Sequence, residues 1–138
     1  AAILLEKLEI FPSELEKRQT VSENYNKCLK ELNLGFKLPI LRNETSSSWA
    51  QYTIILPENI NRDQLQENLK SRNIPTAVYY PIPLNQHKPY AKYPISRNGL
   101  AVTNYLSNNV LSLPMHPYLS EDDIIFITQK IYESIKNI

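Results

Sequence analysis

Two tyrosines followed by alternating prolines are the strongest candidates for chemistry in this sequence. The segment from Tyr79 to Asn85 reads YYPIPLN and follows a short apolar stretch that favours a strand. Prolines stiffen the backbone and stop a strand, which leaves two phenols and an amide on a rigid loop. Such a loop suits recognition of a polar ligand such as a sugar, with Tyr79, Tyr80 and Asn85 as contacts. The alternative is a proline-terminated edge strand that carries surface tyrosines.

A second segment of the same design lies further along the chain. Residues 111–117 read LSLPMHP, in which a strand, a proline stop and the polar His116 follow one another. Two strand ends of like architecture can converge on one rim, which would bring His116 to the tyrosine loop. The alternative is a loop that is packed by Met115 and the two prolines.

The other nucleophiles and metal ligands do not form a recognisable site. His87 and His116 lie far apart without an H-x-x-x-H spacing, so we expect no metal. Cys28 falls on the apolar side of a predicted helix, where a cysteine is usually a small buried hydrophobe. The three serines at 46–48 lack the G-x-S-x-G elbow of hydrolases and are interpreted as loop.

Composition excludes several classes of function. The 138 residues allow one domain with its own core, and the net charge of +1 argues against electrostatic binding of nucleic acid. No apolar run reaches the length of a membrane helix, and the single cysteine fits a reducing, cytoplasmic setting. Only two glycines are present, so no glycine-rich phosphate loop can form.

Hydrophobic periodicity and capping signals predict a small α+β domain. The order is helix, strand, helix, strand, helix, strand, helix, which gives a three-stranded sheet covered by helices. A long first helix is predicted to break near Pro12, restart with a Ser13–Glu16 capping box and end before Gly35. The other predicted elements are strands at 49–56, 76–80 and 110–113 and helices at 61–70, 99–109 and from Ser120 onward, with caps at Asn61 and Ser120.

The first helix begins without a capping residue and carries an apolar stripe. Residues 1–5 read AAILL, and a helix normally starts with Ser, Thr, Asp or Asn to satisfy its free N–H groups. We interpret the start as a cut through a helix; a processed or frayed terminus is the alternative. Leu4, Leu8 and Phe11 are expected to be exposed, with a missing domain or a second subunit as their natural cover.

The two proline motifs, taken together, resemble the C-terminal part of the DegT/DnrJ/EryC1/StrS family of pyridoxal-phosphate-dependent sugar aminotransferases. Residues 80–84 (YPIPL) and 113–119 (LPMHPYL) carry the resemblance, in this order. The opening AAIL looks like the tail of the family's L-Q-A-A-x-L helix. Further similar stretches lie at 8–18, 49–54 and 74–78, so the resemblance covers essentially the whole chain.

The resemblance implies the small C-terminal domain of the aspartate-aminotransferase-like fold, which closes one side of the active site and contacts a sugar nucleotide. Residues 1–35 would be connecting helices and residues 36–138 the α+β small domain of a single unit spanning 1–138. In the family, the large N-terminal domain holds pyridoxal phosphate, its Schiff-base lysine and its phosphate loops. None of those motifs is present here, so we expect no catalytic residue and no bound cofactor in this chain. The complete enzyme is expected to be a homodimer.

The family's strand exit commonly reads HYPIPL followed by H or N. Tyr79 replaces that histidine, whereas Tyr80 matches. Asn85 with residues 81–84 looks most similar to the subgroup that aminates a UDP-linked 3-oxo-glucuronate with glutamate, for surface polysaccharide synthesis. The resemblance thus implies Tyr79, Tyr80, Asn85 and His116 as substrate or rim contacts.

A second function class stays open from the sequence. The chain can be a non-catalytic α+β interaction module that binds a partner through its Tyr-Pro loop. Coding sequence upstream that contains the family's G-x-N-x-R and L-Q-A-A segments would favour the enzyme, and a start codon near Ala1 would favour the module.

Overall fold

A computed structural model describes residues 2–136 as four α-helices and a two-stranded sheet. The elements in chain order are α1 (Ala2–Glu31), β1 (Tyr52–Ile55), α2 (Arg62–Ser71), α3 (Ala101–Asn109), β2 (Val110–Leu113) and α4 (Glu121–Lys136), with a 3-10 turn at Leu84–Gln86. The α+β class is therefore confirmed. None of the helices described for residues 2–136 is both long and apolar enough to cross a membrane.

Helix α1 is continuous through Pro12, so the predicted break is wrong. The proline costs one intrahelical hydrogen bond, but the surrounding turns are exposed, and water can solvate the carbonyl that loses its partner. Ser13 does not cap a new helix, since its hydroxyl donates to the Ile10 carbonyl at 2.8 Å. The helix also ends earlier than predicted, because Asn33 adopts a left-handed backbone with φ 51° before Gly35 is reached.

The sheet has fewer regular strands than predicted. Strand β1 pairs antiparallel with β2, with Tyr52 opposite Leu113 and Ile55 opposite Val110. The predicted strand at 76–80 is reduced to one bridge between Ala77 and Ser112, because the prolines that follow cannot donate to a ladder. A second bridge joins Lys37 to Ile55 on the other edge, so single bridges extend the two-stranded ladder on both sides.

The shorter helices follow their sequence signals closely. The Asn61 side chain accepts from the Gln64 amide at 3.0 Å and caps α2 as predicted. Ser120 and Asp123 form the predicted capping box of α4, with the Asp123 amide donating to the Ser120 hydroxyl at 3.1 Å. The apolar stripe of α4 is buried at Ile124, Ile127 and Ile131 and half-buried at Ile135.

The core lies between one face of the sheet and the helices α1, α2 and α4. The rings of Tyr25 and Tyr52 stack with centroids 4.8 Å apart, and burial raises the pKa of both phenols. The Tyr25 hydroxyl donates to the Pro114 carbonyl at 2.9 Å, and the Tyr52 hydroxyl to Asn26 Oδ1 at 2.8 Å. Cys28 is half-buried against this core, and burial raises the pKa of its thiol, in keeping with a packing role.

Candidate functional site

The Tyr-Pro segment, residues 79–85, leaves the sheet directly after the bridge at Ala77. The Ala77 amide donates to the Ser112 carbonyl at 3.1 Å, and the Ser112 amide donates back at 2.8 Å. Two residues later the chain is free of the ladder, and Tyr79 and Tyr80 are 47% and 74% exposed. Their rings meet edge to face, with centroids 6.0 Å apart, across a cis peptide bond.

A groove of about 720 Å³ lies between the Tyr-Pro segment and α3, and we call it the Tyr-Pro groove. Its walls are mostly apolar, and its polar groups are two phenols, an imidazole and two hydroxyls. Cavities with apolar walls and a few convergent polar groups are typical of ligand sites. The lining residues are Tyr79, Tyr80, Pro81, Ile82, Pro83, Leu84, His87, Thr103, Leu106, Ser107 and Val110.

The far wall of this groove is held in place by helix α2. Arg62 Nη1 donates to the Ser107 carbonyl at 2.7 Å, near the end of α3. The Ser107 hydroxyl donates to the Asn104 carbonyl at 2.9 Å, which commits that hydroxyl to the helix. By contrast, the hydroxyls of Tyr79 and Tyr80 make no side-chain hydrogen bond within residues 2–136. Among the described residues, these two phenols are thus free to bond a ligand, as are the His87 ring and the Thr103 hydroxyl.

A second, smaller groove of about 250 Å³ borders the first at Tyr79. Gln51, Ser112 and Met115 are among the residues that line it. The Ser112 hydroxyl is already bonded to the Thr53 hydroxyl at 2.7 Å across the strands. Of the four residues predicted to contact the substrate, Tyr79 lines both grooves.

The tyrosine exit and the His116 exit leave the sheet at opposite ends. Because Ala77 pairs antiparallel with Ser112, the chain after Ala77 runs toward Val110 at the start of β2. His116 follows the other end of β2, beyond Leu113. The two segments nevertheless share the smaller groove, which Tyr79 and Met115 both line, and a common rim for Tyr80, Asn85 and His116 stays a prediction. Among the described residues, neither groove is lined by His116.

His116 lies instead in the exposed turn that leads into α4. Its Nδ1 accepts from the Tyr118 amide at 3.2 Å. The Tyr118 hydroxyl donates to Glu14 on α1 at 2.5 Å, and this hydrogen bond raises the pKa of the phenol. The turn is thus fastened to α1.

Asn85 does not line the Tyr-Pro groove, although its neighbour Leu84 and the nearby His87 do. Asn85 is half-buried in the 3-10 turn Leu84–Gln86 and is not a lining residue among those described. Sequence reasoning missed His87 because it was considered only as a metal ligand. Its position directly after the 3-10 turn of the Tyr-Pro segment was the signal that could have identified it. Within residues 2–136, no three His, Cys, Asp or Glu side chains assemble into a metal site.

Comparison with known proteins places this geometry in one family. Residues 1–132 match the DegT/DnrJ/EryC1/StrS aminotransferase family. The UDP-2-acetamido-2-deoxy-3-oxo-D-glucuronate aminotransferase of Pseudomonas aeruginosa is 42% identical over 127 residues, covering 92% of this chain and 33% of that protein. The UDP-N-acetyl-3-dehydro-α-D-glucosamine 3-aminotransferase of Acidithiobacillus ferrooxidans is 36% identical over 85 residues, covering 62% of this chain and 22% of the relative.

A solved structure confirms the fold. The crystal structure of a DegT DnrJ EryC1 StrS aminotransferase from Brucella abortus superposes with a TM-score of 0.87 at 40% identity, and the match covers 97% of this chain and 34% of that one. The chain thus spans about a third of the length of the Pseudomonas aeruginosa relative and of the Brucella abortus structure. The match runs through almost the whole chain, including the Tyr-Pro segment and the sheet that positions it. The chain belongs to the DegT/DnrJ/EryC1/StrS aminotransferase family.

Proposed function

We propose that the chain serves as the small domain of an enzyme that transfers an amino group from glutamate to a UDP-linked 3-oxo sugar. The 42% identity to the Pseudomonas aeruginosa aminotransferase carries this proposal. The Acidithiobacillus ferrooxidans relative, whose name also gives a UDP-linked 3-oxo sugar as substrate, supports the same class. Oxo-glucuronate is our specific candidate for the substrate, with the product used in surface polysaccharide synthesis in the cytoplasm.

We further propose that the Tyr-Pro groove faces this substrate. Tyr80 supplies a free phenol at the mouth of the groove, and Tyr79 supplies a second one at the border of the smaller groove. A phenol can donate one hydrogen bond and accept another, which suits the hydroxyl and oxo groups of a sugar. We propose Asn85 and His116 as rim contacts that reach the substrate only in the complete protein, since neither lines a groove of this chain.

The lining of the Tyr-Pro groove does not fit pyridoxal phosphate, which supplies the amino-transfer chemistry in this family. No lysine and no carboxylate lines the Tyr-Pro groove, whereas the cofactor needs one of each. The glycines Gly35 and Gly99 stand apart and form no phosphate loop. We propose that the complete protein holds the cofactor on other residues and that this chain is inactive alone.

A cofactor-trapping experiment tests the inactivity of the chain. We expect no stable lysine adduct when the chain is incubated with pyridoxal phosphate, reduced with borohydride and mapped by mass spectrometry. Scattered low-level modification of exposed lysines is the expected background. Modification concentrated on one lysine would contradict the proposal.

A domain exchange tests the function itself. The matching third of the Pseudomonas aeruginosa enzyme is replaced by this chain, and the chimera is assayed with glutamate and the UDP-linked 3-oxo-glucuronate. We expect amino transfer to this substrate and much weaker transfer to a dTDP-linked oxo sugar. A folded chimera that holds its cofactor but transfers no amino group would refute the proposal and favour the interaction module.

A further inference from the structure

Helix α3 forms the far wall of the Tyr-Pro groove, but little apolar packing anchors it. Thr103, Leu106 and Ser107 of this helix line the groove opposite the Tyr-Pro segment. Among the nine residues that the structure describes for α3, Ser107 is the buried one. An apolar face packed against the core usually supplies most of the stability of a helix in a protein. The position of α3 must therefore depend largely on polar bonds.

The end of α3 is fastened to the body of the domain through its carbonyl groups. The last carbonyls of an α-helix have no partner within the helix and need one outside it. The Asn109 carbonyl accepts from the Leu56 amide at 2.9 Å, and the Ser107 carbonyl accepts from Arg62 Nη1 at 2.7 Å. The first bond joins α3 to the residue after β1, and the second joins it to α2.

The guanidinium of Arg62 is held in one orientation. The side chain is only 11% exposed, and its Nε donates to Asp63 Oδ1 at 2.6 Å while Nη1 reaches the Ser107 carbonyl. A guanidinium is a planar fork, so a bond from one nitrogen fixes the direction of the others. A cation at the end of a helix also interacts favourably with the helix dipole. Arg62 therefore supplies a directed, charge-assisted bond to α3, which is stronger than a bond between neutral groups.

The rest of α3 is held less firmly. Leu100, at the start of the helix, provides no capping bond from its side chain. Gln86 Nε2 donates to Asn104 Oδ1 at 3.2 Å, and both residues are exposed. A bond between neutral groups in water contributes little to stability. The bond from Arg62 is thus the strongest side-chain contact that sets the distance between α3 and the Tyr-Pro segment.

We propose that Arg62 is a positioning residue that fixes the width of the Tyr-Pro groove by holding the end of α3. The inference rests on the proposed function, in which the groove faces the sugar, and adds the residue that sets the shape of that groove. Arg62 is not among the described residues that line the groove, so it acts through Ser107 and the turn of α3 around it.

The size of the effect follows from the bond that is lost. Loss of a hydrogen bond to a charged group shifts a local equilibrium by about tenfold or more. The apparent affinity for a ligand falls with the fraction of molecules whose site is correctly formed. Without Arg62, we therefore expect a groove that binds the sugar about tenfold more weakly.

The test compares variants that keep a long side chain and differ in its donors. Arg62→Met removes the guanidinium but keeps an unbranched apolar stem, whereas Arg62→Lys keeps one cationic donor on a stem of similar length. Arg18→Met is the matched control, because Arg18 Nη1 donates to the Trp49 carbonyl at 2.9 Å. That bond is of the same kind, and neither Arg18 nor Trp49 lines the Tyr-Pro groove. Each variant is made in the chain and in the chimera.

Amide hydrogen exchange of the chain measures how firmly α3 is held when no ligand is present. We expect exchange at residues 103–110 to accelerate about tenfold in Arg62→Met, less than threefold in Arg62→Lys, and not at all in Arg18→Met. Unchanged exchange at these residues in Arg62→Met would overturn the inference. Equal acceleration in α1, α2 and α4 would also overturn it, because it would indicate a general loss of stability.

A milder variant keeps the inference testable if Arg62→Met does not fold. Asp63 is 76% exposed, so Asp63→Asn weakens the bond that orients the guanidinium without removing the guanidinium itself. We expect exchange at residues 103–110 to accelerate about twofold, the usual value of an exposed ion pair. A folded Asp63→Asn variant with the exchange rates of the wild type would then overturn the inference.

Kinetics of the chimera test the role of Arg62 in the groove. We expect Arg62→Met to raise the KM for the sugar nucleotide about tenfold, to change kcat less than twofold and to leave the KM for glutamate unchanged. This split follows because the groove holds the sugar equally in the ground state and in the transition state. Arg62→Lys should recover most of the loss, and Arg18→Met should stay within twofold of the wild type. Equal increases in both KM values would overturn the inference.

The inference and the proposed function fail in different experiments. A cofactor-loaded chimera that carries the wild-type chain and has no activity refutes the proposed function, while hydrogen exchange, which needs no substrate, still tests the hold of Arg62 on α3. An active chimera whose sugar-nucleotide KM is unchanged by Arg62→Met refutes the role of Arg62 in the groove and leaves the proposed function standing.

Discussion

The two halves of α1 belong to one continuous helix but differ in their contacts. Residues 2–13, the projecting half, are all exposed and contribute no residue to the core. Residues 18–31, the packed half, carry buried Val21, Tyr25 and Leu29 and meet the sheet and α4. Tertiary packing usually supplies most of the stability of a helix in a protein, and here it supplies it to one half only.

An element can therefore be complete in its backbone while only part of its length packs against the rest of the domain. The packed half is fixed by specific bonds, such as Trp49 Nε1 to Gln19 Oε1 at 2.7 Å and Arg18 Nη1 to the Trp49 carbonyl at 2.9 Å. The projecting half instead presents Leu4 and Leu8 to solvent, at 66% and 61% exposure. We expect the packed half to carry most of the chain's stability and the projecting half to carry its contacts with other molecules.

The largest effect is expected from truncating one aromatic ring in each half. Tyr25→Ala removes a fully buried ring that stacks on Tyr52, and should lower the free energy of unfolding by about 3–5 kcal/mol. Phe11→Ala removes a ring that is 45% exposed, and should change it by less than about 0.5 kcal/mol. Urea denaturation of both variants measures the difference. Similar losses would show that the projecting half is packed in solution.

The second prediction concerns association through the projecting half. The chain should self-associate at high concentration, because an exposed apolar stripe is more stable when covered. The triple variant Leu4→Ser, Leu8→Ser, Phe11→Ser should weaken this association at least tenfold, since fully burying one such side chain is worth about 1.5–3 kcal/mol. Light scattering over a range of concentrations measures both proteins. A wild-type chain that stays strictly monomeric would contradict the prediction.

The sequence predicted well those features that depend on neighbours in the chain. The cap of α2 at Asn61 and the stripe of α4 are local patterns, and both are confirmed. The break at Pro12 failed because a proline forbids one hydrogen bond but does not decide whether the next turn continues. The strand at 76–80 failed because pairing depends on a partner strand that local composition does not reveal.

The same limit explains what was predicted of the candidate site. The exposure of Tyr79 and Tyr80 follows from the prolines after them, and the structure agrees. Their roles in binding stay predictions. Predicting the direction in which His116 leaves the sheet requires the antiparallel register of the strands. Predicting that His87 lines the groove requires the position of the wall that α3 forms. Both are contacts between residues distant in sequence.

A smaller effect is expected when one hydroxyl is removed from the Tyr-Pro groove and, in a matched variant, one from the packed half of α1. Tyr80→Phe takes away a phenol that is 74% exposed, and should leave stability unchanged. In the chimera it should lower kcat/KM for the sugar nucleotide about two- to tenfold, the value of one hydrogen bond to a ligand. Tyr25→Phe is the matched change in the packed half of α1. It should cost about 1–2 kcal/mol of stability, because the Pro114 carbonyl loses its partner, and spare the kinetics. A Tyr80→Phe variant with unchanged kinetics and a lower melting temperature would refute the site assignment.

The smallest effect is expected at the start of α4, which packs against the packed half of α1. Bonds from the Ser120 hydroxyl and the Ser120 amide hold the pKa of the Asp123 carboxyl below its usual 3.8. Since the pKa is lower in the folded state, the carboxylate stabilises the fold above about pH 4 and loses this contribution as the pH falls through the folded value. Asp123→Asn should therefore lower the melting temperature at about pH 6, and the gap to the wild type should shrink below about pH 4. Asp122→Asn removes the same charge from the same turn without a capping bond, so its gap at about pH 6 should be smaller. Equal differences in melting temperature for the two variants would mean that the helix dipole, and not the capping box, makes the start of α4 sensitive to acid.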